Sequence, residues 1–261
     1  MKDVQSQRDH RNIEIQKVGV KGVRYPITVL DKTQGYQHTV ATVDMYVNLP
    51  RQFKGTHMSR FVEILNKYRG KIGLKELRLI LEEMKKRLRA ESAHVEIEFP
   101  YFVEKRAPVT GAKGLMEYVC RFYGSSDHSD IDLCLEVNVP ISTVCPCSKE
   151  ISDHGAHNQR GVVRVKVRFK KLVWIEDLIE IVEKSASCDL YSILKRPDEK
   201  HVTERAYENP MFVEDVVREV ATKLTSDPNI TWFSVEAENF ESIHNHNAYA
   251  FVESNSLREA P

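Results

Sequence analysis

Between residues 163 and 170 the chain alternates without a break: Val163, Val165, Val167 and Phe169 interleave with Arg164, Lys166, Arg168 and Lys170. A period of two places one row on each face of an extended strand, so this segment has to bury one side of a sheet. Extended segments also run from Lys17 to Leu30 and from Tyr36 to Leu49, the second alternating at Val43, Met45, Val47 and Leu49. The period then switches to that of a helix. Phe61, Ile64, Leu65 and Tyr68 form a short stripe, and beyond Gly70 and Gly73 a longer one follows at Leu74, Leu77, Ile80, Leu81, Met84 and Leu88. Alternation returns at Val95, Ile97, Phe99, Tyr101 and Val103, and a further strand falls near Leu115 to Tyr123. The second half repeats the order. Leu133, Leu135, Val137, Val139 and Ile141 alternate, then the strand at 163–170, then helices near Ile175 to Ser187 and Pro210 to Thr225. Strands near Ile230 to Phe240 and Ala248 to Val252 close it.

Strand pairs separated by helix pairs predict an α+β fold: mostly antiparallel sheet with helices on one face. The element order repeats although the letters do not, which suggests an internal duplication. The reading is a flexible N-terminal segment at 1–16, a first ββααββ module at 17–128, and a second at 129–255 that carries most of the chemistry. The face away from the helices is partly polar, suited to solvent or to another subunit.

Of the 261 residues, 38 are Lys or Arg and 38 are Asp or Glu, so the formal net charge is zero. A nucleic-acid binder carries a basic excess, which excludes that class of partner here. No apolar run approaches the ~20 residues of a membrane helix, and Met1 to Gln7 lacks the apolar core of a signal peptide. Five cysteines, an odd number, do not read as a disulfide framework. The expectation is a cytoplasmic protein with reduced thiols.

One stretch breaks every pattern, Ser142-Thr-Val-Cys145-Pro-Cys147-Ser-Lys149-Glu-Ile-Ser-Asp-His154-Gly-Ala-His157-Asn-Gln-Arg160-Gly161. It joins two well-patterned strands through roughly twenty residues, far more than the 2–5 of a hairpin loop. Cys145 and Cys147 could be small buried hydrophobes in a turn. Their one-residue spacing is too short for a thioredoxin-like pair. A thiolate with an imidazole some eleven residues on suits a borderline divalent ion such as zinc. A second polar, patternless stretch, Lys195 to Pro210, reads as a loop offering Asp198, Glu199, His201, Glu204 and Glu208. Near the C-terminus, His244 and His246 are read as alternate positions of a strand end, sharing a face.

With these residues in view, Cys145-Pro-Cys-Ser-Lys-Glu-Ile-Ser and Gly155-Ala-His-Asn-Gln-Arg-Gly161 resemble the signature of the type IB GTP cyclohydrolase I family. Thr203-Glu-Arg-Ala-Tyr-Glu-Asn-Pro-Met-Phe-Val-Glu-Asp215, Glu236-Ala-Glu-Asn-Phe-Glu-Ser-Ile-His-Asn-His-Asn-Ala248 and Gly22-Val-Arg-Tyr-Pro26 resemble it as well. The resemblance spans nearly the whole chain. It implies a tunnelling fold of two tandem ββααββ modules assembling into a multimeric barrel, a homotetramer with active sites at subunit interfaces. It implies conversion of GTP and water to formate and 7,8-dihydroneopterin triphosphate, with zinc or manganese as cofactor. By motif position the metal ligands would be Cys145, His157 and Glu199. Cys147 would be the second active-site thiol, and Glu214 a buried carboxylate anchoring the guanine edge. His244 and His246 are the acid–base candidates, and Lys149, Arg160, His201 and Arg205 the cations available to a triphosphate. Two other readings compete: a tunnelling-fold nitrile reductase with a nucleophilic cysteine, and a non-catalytic zinc-stapled module that binds a purine.

Overall fold

The computed structural model describes residues 5, 7–68, 72–128 and 130–257. The N-terminal segment expected to be flexible falls in part on residues 1–4 and 6. The helix-breaking Gly70 and the last four residues also lie outside the described set.

Among the described residues, eight strands neighbour one another in chain order: β1 (Ile15–Asp31), β2 (Gly35–Leu49), β3 (Ser92–Arg106), β4 (Lys113–Asp127), β5 (Asp130–Val144), β6 (Asn158–Phe169), β7 (Ile230–Asn239) and β8 (Ala248–Glu253). The chain divides into two compact units, residues 1–100 with 120–135, and residues 101–119 with 136–261.

In the first unit, β1 and β2 pair antiparallel with Ile27 opposite Thr39 and Asp31 opposite Gly35. β2 continues onto β3 with Val43 opposite Ile97. The odd-numbered row of β2, Ala41, Val43, Met45 and Val47, is buried, as the period of two requires. Helices α1 (Met58–Lys67) and α2 (Leu74–Leu88) are the two expected stripes. They bury Phe61, Ile64 and Leu65, and Leu77, Ile80, Leu81 and Met84. Each such side chain contributes roughly 2 kcal/mol of transfer free energy. The second helix starts where Glu76 accepts the Gly73 N–H at 3.1 Å and stops at Arg89, whose φ of 55° leaves the helical region. It packs so close to β4 that a Cβ on Gly124 would meet Leu77 Cδ2 at 2.8 Å.

In the second unit, β6 pairs with β7 antiparallel, Val163 opposite Ala237 and Val165 opposite Val235, and β7 with β8. Helices α4 (Ile175–Glu183) and α6 (Val213–Thr225) follow the predicted stripes but are shorter than expected. They bury Leu178, Ile179 and Val182, and Val216, Val217, Val220 and Leu224.

The simple repeat of element order does not hold here, because two further helices interrupt it. A short α3 (Pro146–Ile151) lies inside the signature stretch, so β5 and β6 are joined by residues 145–157 rather than by roughly twenty. Lys195 to Pro210, read as a loop, instead contains α5 (Arg196–Glu208). This helix has almost no apolar stripe, burying only Asp198 and Ala206, which is why periodicity misses it. It is held from its end. Asp198, fully buried, accepts from the N–H of Val109 (2.9 Å) and Thr110 (2.8 Å), the Thr110 hydroxyl (2.7 Å) and the Lys195 N–H (2.9 Å). Burial works to raise its carboxyl pKa, but these donors outweigh it and hold the group well below the usual carboxylate range. No helix among the described residues is long and apolar enough to cross a membrane.

Candidate active site

The signature stretch begins where β5 ends. Cys145 continues the ladder for one more step, its N–H donating to the His157 carbonyl at 3.1 Å. It then caps α3: its thiol accepts the Ser148 N–H at 3.4 Å, and the Ser148 hydroxyl donates to the Cys145 carbonyl at 3.1 Å. The same hydroxyl accepts the His157 N–H at 3.2 Å, closing residues 145–157 on themselves. Pro146 fits the first helical turn because its missing N–H is not needed there. On the far side His157 Nδ1 lies 3.2 Å from the Ser242 hydroxyl, which brings the chain after β7 against the loop. Cys145 is half-buried and Cys147 exposed, whereas Cys120, Cys134 and Cys188 are buried, the last with its thiol pKa raised by burial.

The residue before Cys145 is braced on both backbone groups. The Val144 N–H donates to the hydroxyl of fully buried Ser187 at 3.0 Å, and its carbonyl accepts the Met211 N–H at 3.0 Å. Asn209 ties the two braces together by donating its side-chain amide to the Ala186 carbonyl at 3.0 Å. The 185–191 segment is itself anchored by a buried ion cluster. Lys105 Nζ lies 2.7 Å from Glu183 and 3.5 Å from Asp189, and the Tyr118 hydroxyl donates to Glu183 at 2.7 Å. Sequence reading assigns no role to Ser187, Asn209 or Ser242: Asn209 and Ser242 lie within stretches that resemble the family but have no role there, and nothing local marks Ser187, which lies 43 residues from the Val144 that it supports.

Helix α5 docks on the same base. Ala206, with Val202 beside it, packs against Val144, Cys188 and Ala156. Glu199 stands three residues before Val202 and seven before Ala206, so it shares their stripe, yet it is exposed. Lys149 is already engaged: its ammonium donates to the Tyr207 carbonyl at 2.5 Å and sits 4.5 Å from the Tyr207 ring centroid. His201 and Arg205 are exposed on α5, and Arg160 is exposed on β6, its carbonyl accepting the Phe240 N–H at 2.8 Å.

Three expectations change. Glu214, expected as a buried carboxylate, is exposed on the first turn of α6, because nothing in this chain rises over that helix end to cover it among the described residues. His244 and His246 do not sit on a strand: β7 ends at Asn239 and both lie in the bend before β8, exposed, their rings stacked with centroids 5.2 Å apart. Cys145 and His157 share one loop, but no three His, Cys, Asp or Glu side chains among the described residues are gathered closely enough to hold a metal, and Glu199 is not brought to the other two as a third ligand.

A family model described as type I GTP cyclohydrolase folE2 matches residues 1–250. Among curated proteins, GTP cyclohydrolase FolE2 of Syntrophobacter fumaroxidans is 65% identical over 254 residues, covering 97% of this chain and 99% of that one. FolE2 of Syntrophus aciditrophicus is 63% identical over 253 residues, again covering 97% and 99%. Among solved structures, a mutant urate oxidase of Bacillus sp. TB-90 superposes with a TM-score of 0.55 at 11% identity, over 92% of this chain and 99% of that one. Uricase of Arthrobacter globiformis gives a TM-score of 0.50 at 9% identity, over 92% of each. These two likenesses concern the fold alone.

Proposed function

The chain belongs to the type I GTP cyclohydrolase folE2 family, and we propose that its reaction on GTP runs at the Cys145–His157 loop by the metal-dependent chemistry of the type IB class. The observation that carries this reading is the pairing of a half-buried thiol and an imidazole on one loop, with Val144 braced on both backbone groups beneath them. A soft thiolate and an imidazole fit zinc as two of three protein donors, whereas the case for manganese comes from the carboxylate that would be the third. The third would be Glu199 of α5, exposed in the single chain and, in this reading, brought to the other two on metal binding or by subunit assembly. A metal ion held there would supply acidity to water and to the formyl oxygen.

The chain's own groups do the rest. A first water adds at C8 of the purine and opens the imidazole ring to a formamide; a second releases formate. The ribose then opens and rearranges, and ring closure expels one water to give 7,8-dihydroneopterin triphosphate. Cys147 is exposed on the loop, and the stacked His244 and His246 are exposed two and four residues beyond Ser242, which touches His157; in this reading they hand protons to the ring nitrogens and the sugar. Glu214 can accept two N–H bonds from the guanine amide and amine. Its exposure in the single chain supports an oligomer in which a neighbour closes the pocket, and the homotetramer of tandem-module chains is what the resemblance implies. Arg160, His201 and Arg205 are exposed cations that could meet the triphosphate, while Lys149 must first leave Tyr207.

The test is to strip the protein of metal, supply GTP, and add zinc or manganese separately. Formate and a fluorescent pterin are expected with at least one ion, and their absence with both would overturn the reading. Glu214→Ala should raise KM for GTP far more than it lowers kcat.

A further inference from the structure

Beneath the Cys145–His157 loop, on the same face of the sheet, lies a row of polar side chains that the reaction as described does not use. Most buried core positions near the loop end of β5 and β6 are odd-numbered, Ile141 and Thr143 on one, Gln159, Val163 and Val165 on the other, while even-numbered Val144 is covered by α5. Cys145 and His157 prolong that parity. On β7, Ala237 and Asn239 belong to the same face. Gly161 pairs with Asn239, which sets Gln159 opposite Glu241 one step further along.

Gln159 and Asn239 are 7% and 2% exposed, deep enough that every polar atom they carry needs a partner. Gln159 Nε2 donates to the hydroxyl of fully buried Thr143 at 3.1 Å. Its other end is unmatched: among the described residues Gln159 Oε1, Asn239 Oδ1 and Glu241 Oε2 have no hydrogen-bond partner. Gly161 makes room for this arrangement, since a Cβ there would meet Asn239 Oδ1 at 2.4 Å and the Glu238 carbonyl at 2.8 Å. The strand gives up a side chain at this point, and what occupies the space is a carboxamide oxygen with nothing to accept from.

We propose that Gln159 and Asn239 form a buried acceptor floor that takes N–H or O–H donors of the bound nucleotide and so contributes to its selection. The inference rests on the Cys145–His157 loop being the GTP site. Two acceptor oxygens on diagonal cross-strand positions lie within reach of one ligand group. GTP offers donors of this kind from two sources, the base edge with its 2-amino group and the ribose diol. A site built to accept a hydrogen bond rejects an analogue that lacks the donor, because its buried oxygen is then left unpaired.

The experiment compares GTP, ITP and 2′-deoxy-GTP with wild-type protein, Asn239→Ala and Gln159→Met. Calorimetric titration of the chelator-treated full chain gives Kd, and KM is read with metal restored. Each substitution should weaken GTP binding roughly tenfold, and the wild-type preference for GTP over one analogue should narrow in the variant, Glu214 still reading the base edge. Narrowed discrimination against ITP assigns the floor to the base, and narrowed discrimination against 2′-deoxy-GTP assigns it to the sugar. If GTP binding is unchanged, or weakens while discrimination against both analogues persists in full, the oxygens hold only a trapped water and the proposal is wrong. If Asn239→Ala does not fold, Gln159→Met, which keeps the length of the side chain, carries the same test. Wild-type protein that binds no GTP at all would instead bring down the reading of the loop above.

Discussion

Two connections between neighbouring strands solve the same problem by opposite means. Between β1 and β2 the turn is self-sufficient. The Asp31 carboxylate accepts the N–H of Thr33 at 2.8 Å and of Gln34 at 2.7 Å, and Gly35 takes the positive φ of 82° that the reversal needs. Every group that holds the turn lies within a few residues of it. Between β5 and β6 the chain spends thirteen residues, and its base is held by Ser187, Met211 and Ser242, which come from three distant connections. A turn that only has to reverse the chain can be written locally. A loop that has to place a thiol and an imidazole takes its coordinates from the whole unit.

That contrast predicts a separation of effects. Cys145→Ala should abolish formate release, a loss on the order of 10³-fold or more, while the melting temperature stays within a few degrees of wild type. Comparable residual turnover would mean the loop is not the reaction centre. Next comes Ser187→Ala, which removes the acceptor for the Val144 N–H without touching substrate. Turnover should fall roughly tenfold, as for other supports of a metal ligand, and Ser187→Thr, which keeps the hydroxyl, should recover it. If Ser187→Ala lowers stability but leaves kcat and KM intact, the brace is purely structural. Gly35→Ala tests the other connection: it should cost about 1 kcal/mol in urea unfolding, from the left-handed backbone, with kinetics unchanged.

The smallest effect is one of pH. Burial, then the neighbouring Asp189 charge, pushes the Tyr191 phenol up to about 12, and burial with the Asp44 hydrogen bond does the same for Tyr46. Both pKa values lie above the unfolded value near 10, so their contribution is complete below pH 10 and is lost as pH rises towards 12. Both rings are partly exposed, so the loss should be about 1 kcal/mol or less each. Tyr191 belongs to the segment that braces Val144; Tyr46 does not. Urea midpoints at pH 9 and 11 should therefore shift less in Tyr191→Phe than in wild type, and the loss of kcat at high pH should shrink only with that substitution.

The strands were legible because burying one face of a sheet imposes a period of two that few other constraints imitate. Helices α1, α2, α4 and α6 were legible for the matching reason, a stripe over the sheet. Helix α5 was not. It is held by one buried carboxylate at its start, Asp198, and by the small contact of Ala206 and Val202, and so few positions in an otherwise charged run carry no periodic signal. The same asymmetry runs through the site. Cys145 and His157 stand out in the letters because thiol and imidazole at that spacing have few other uses. Gln159 and Asn209 fall inside motif stretches without a role that their residue type suggests, and Ser187 falls outside them; what each does arises from what the fold places opposite it. The burial expected of Glu214 failed for another reason: one chain does not cover that helix end.

The shared parity of Thr143 with Cys145, and of His157 with Gln159, also fixes how this protein can change in length. A strand advances about 3.3 Å per residue and turns its side chains over at each step. One residue inserted into β5 between the Val139 core position and Val144 would carry Cys145 to the opposite face of the sheet, away from its imidazole, even with every letter of the signature intact. An insertion of two would keep the face and move the thiol by about 6.6 Å. The reaction centre is therefore indexed by counting along the strand, and deletions or insertions there should be tolerated in pairs before they are tolerated singly.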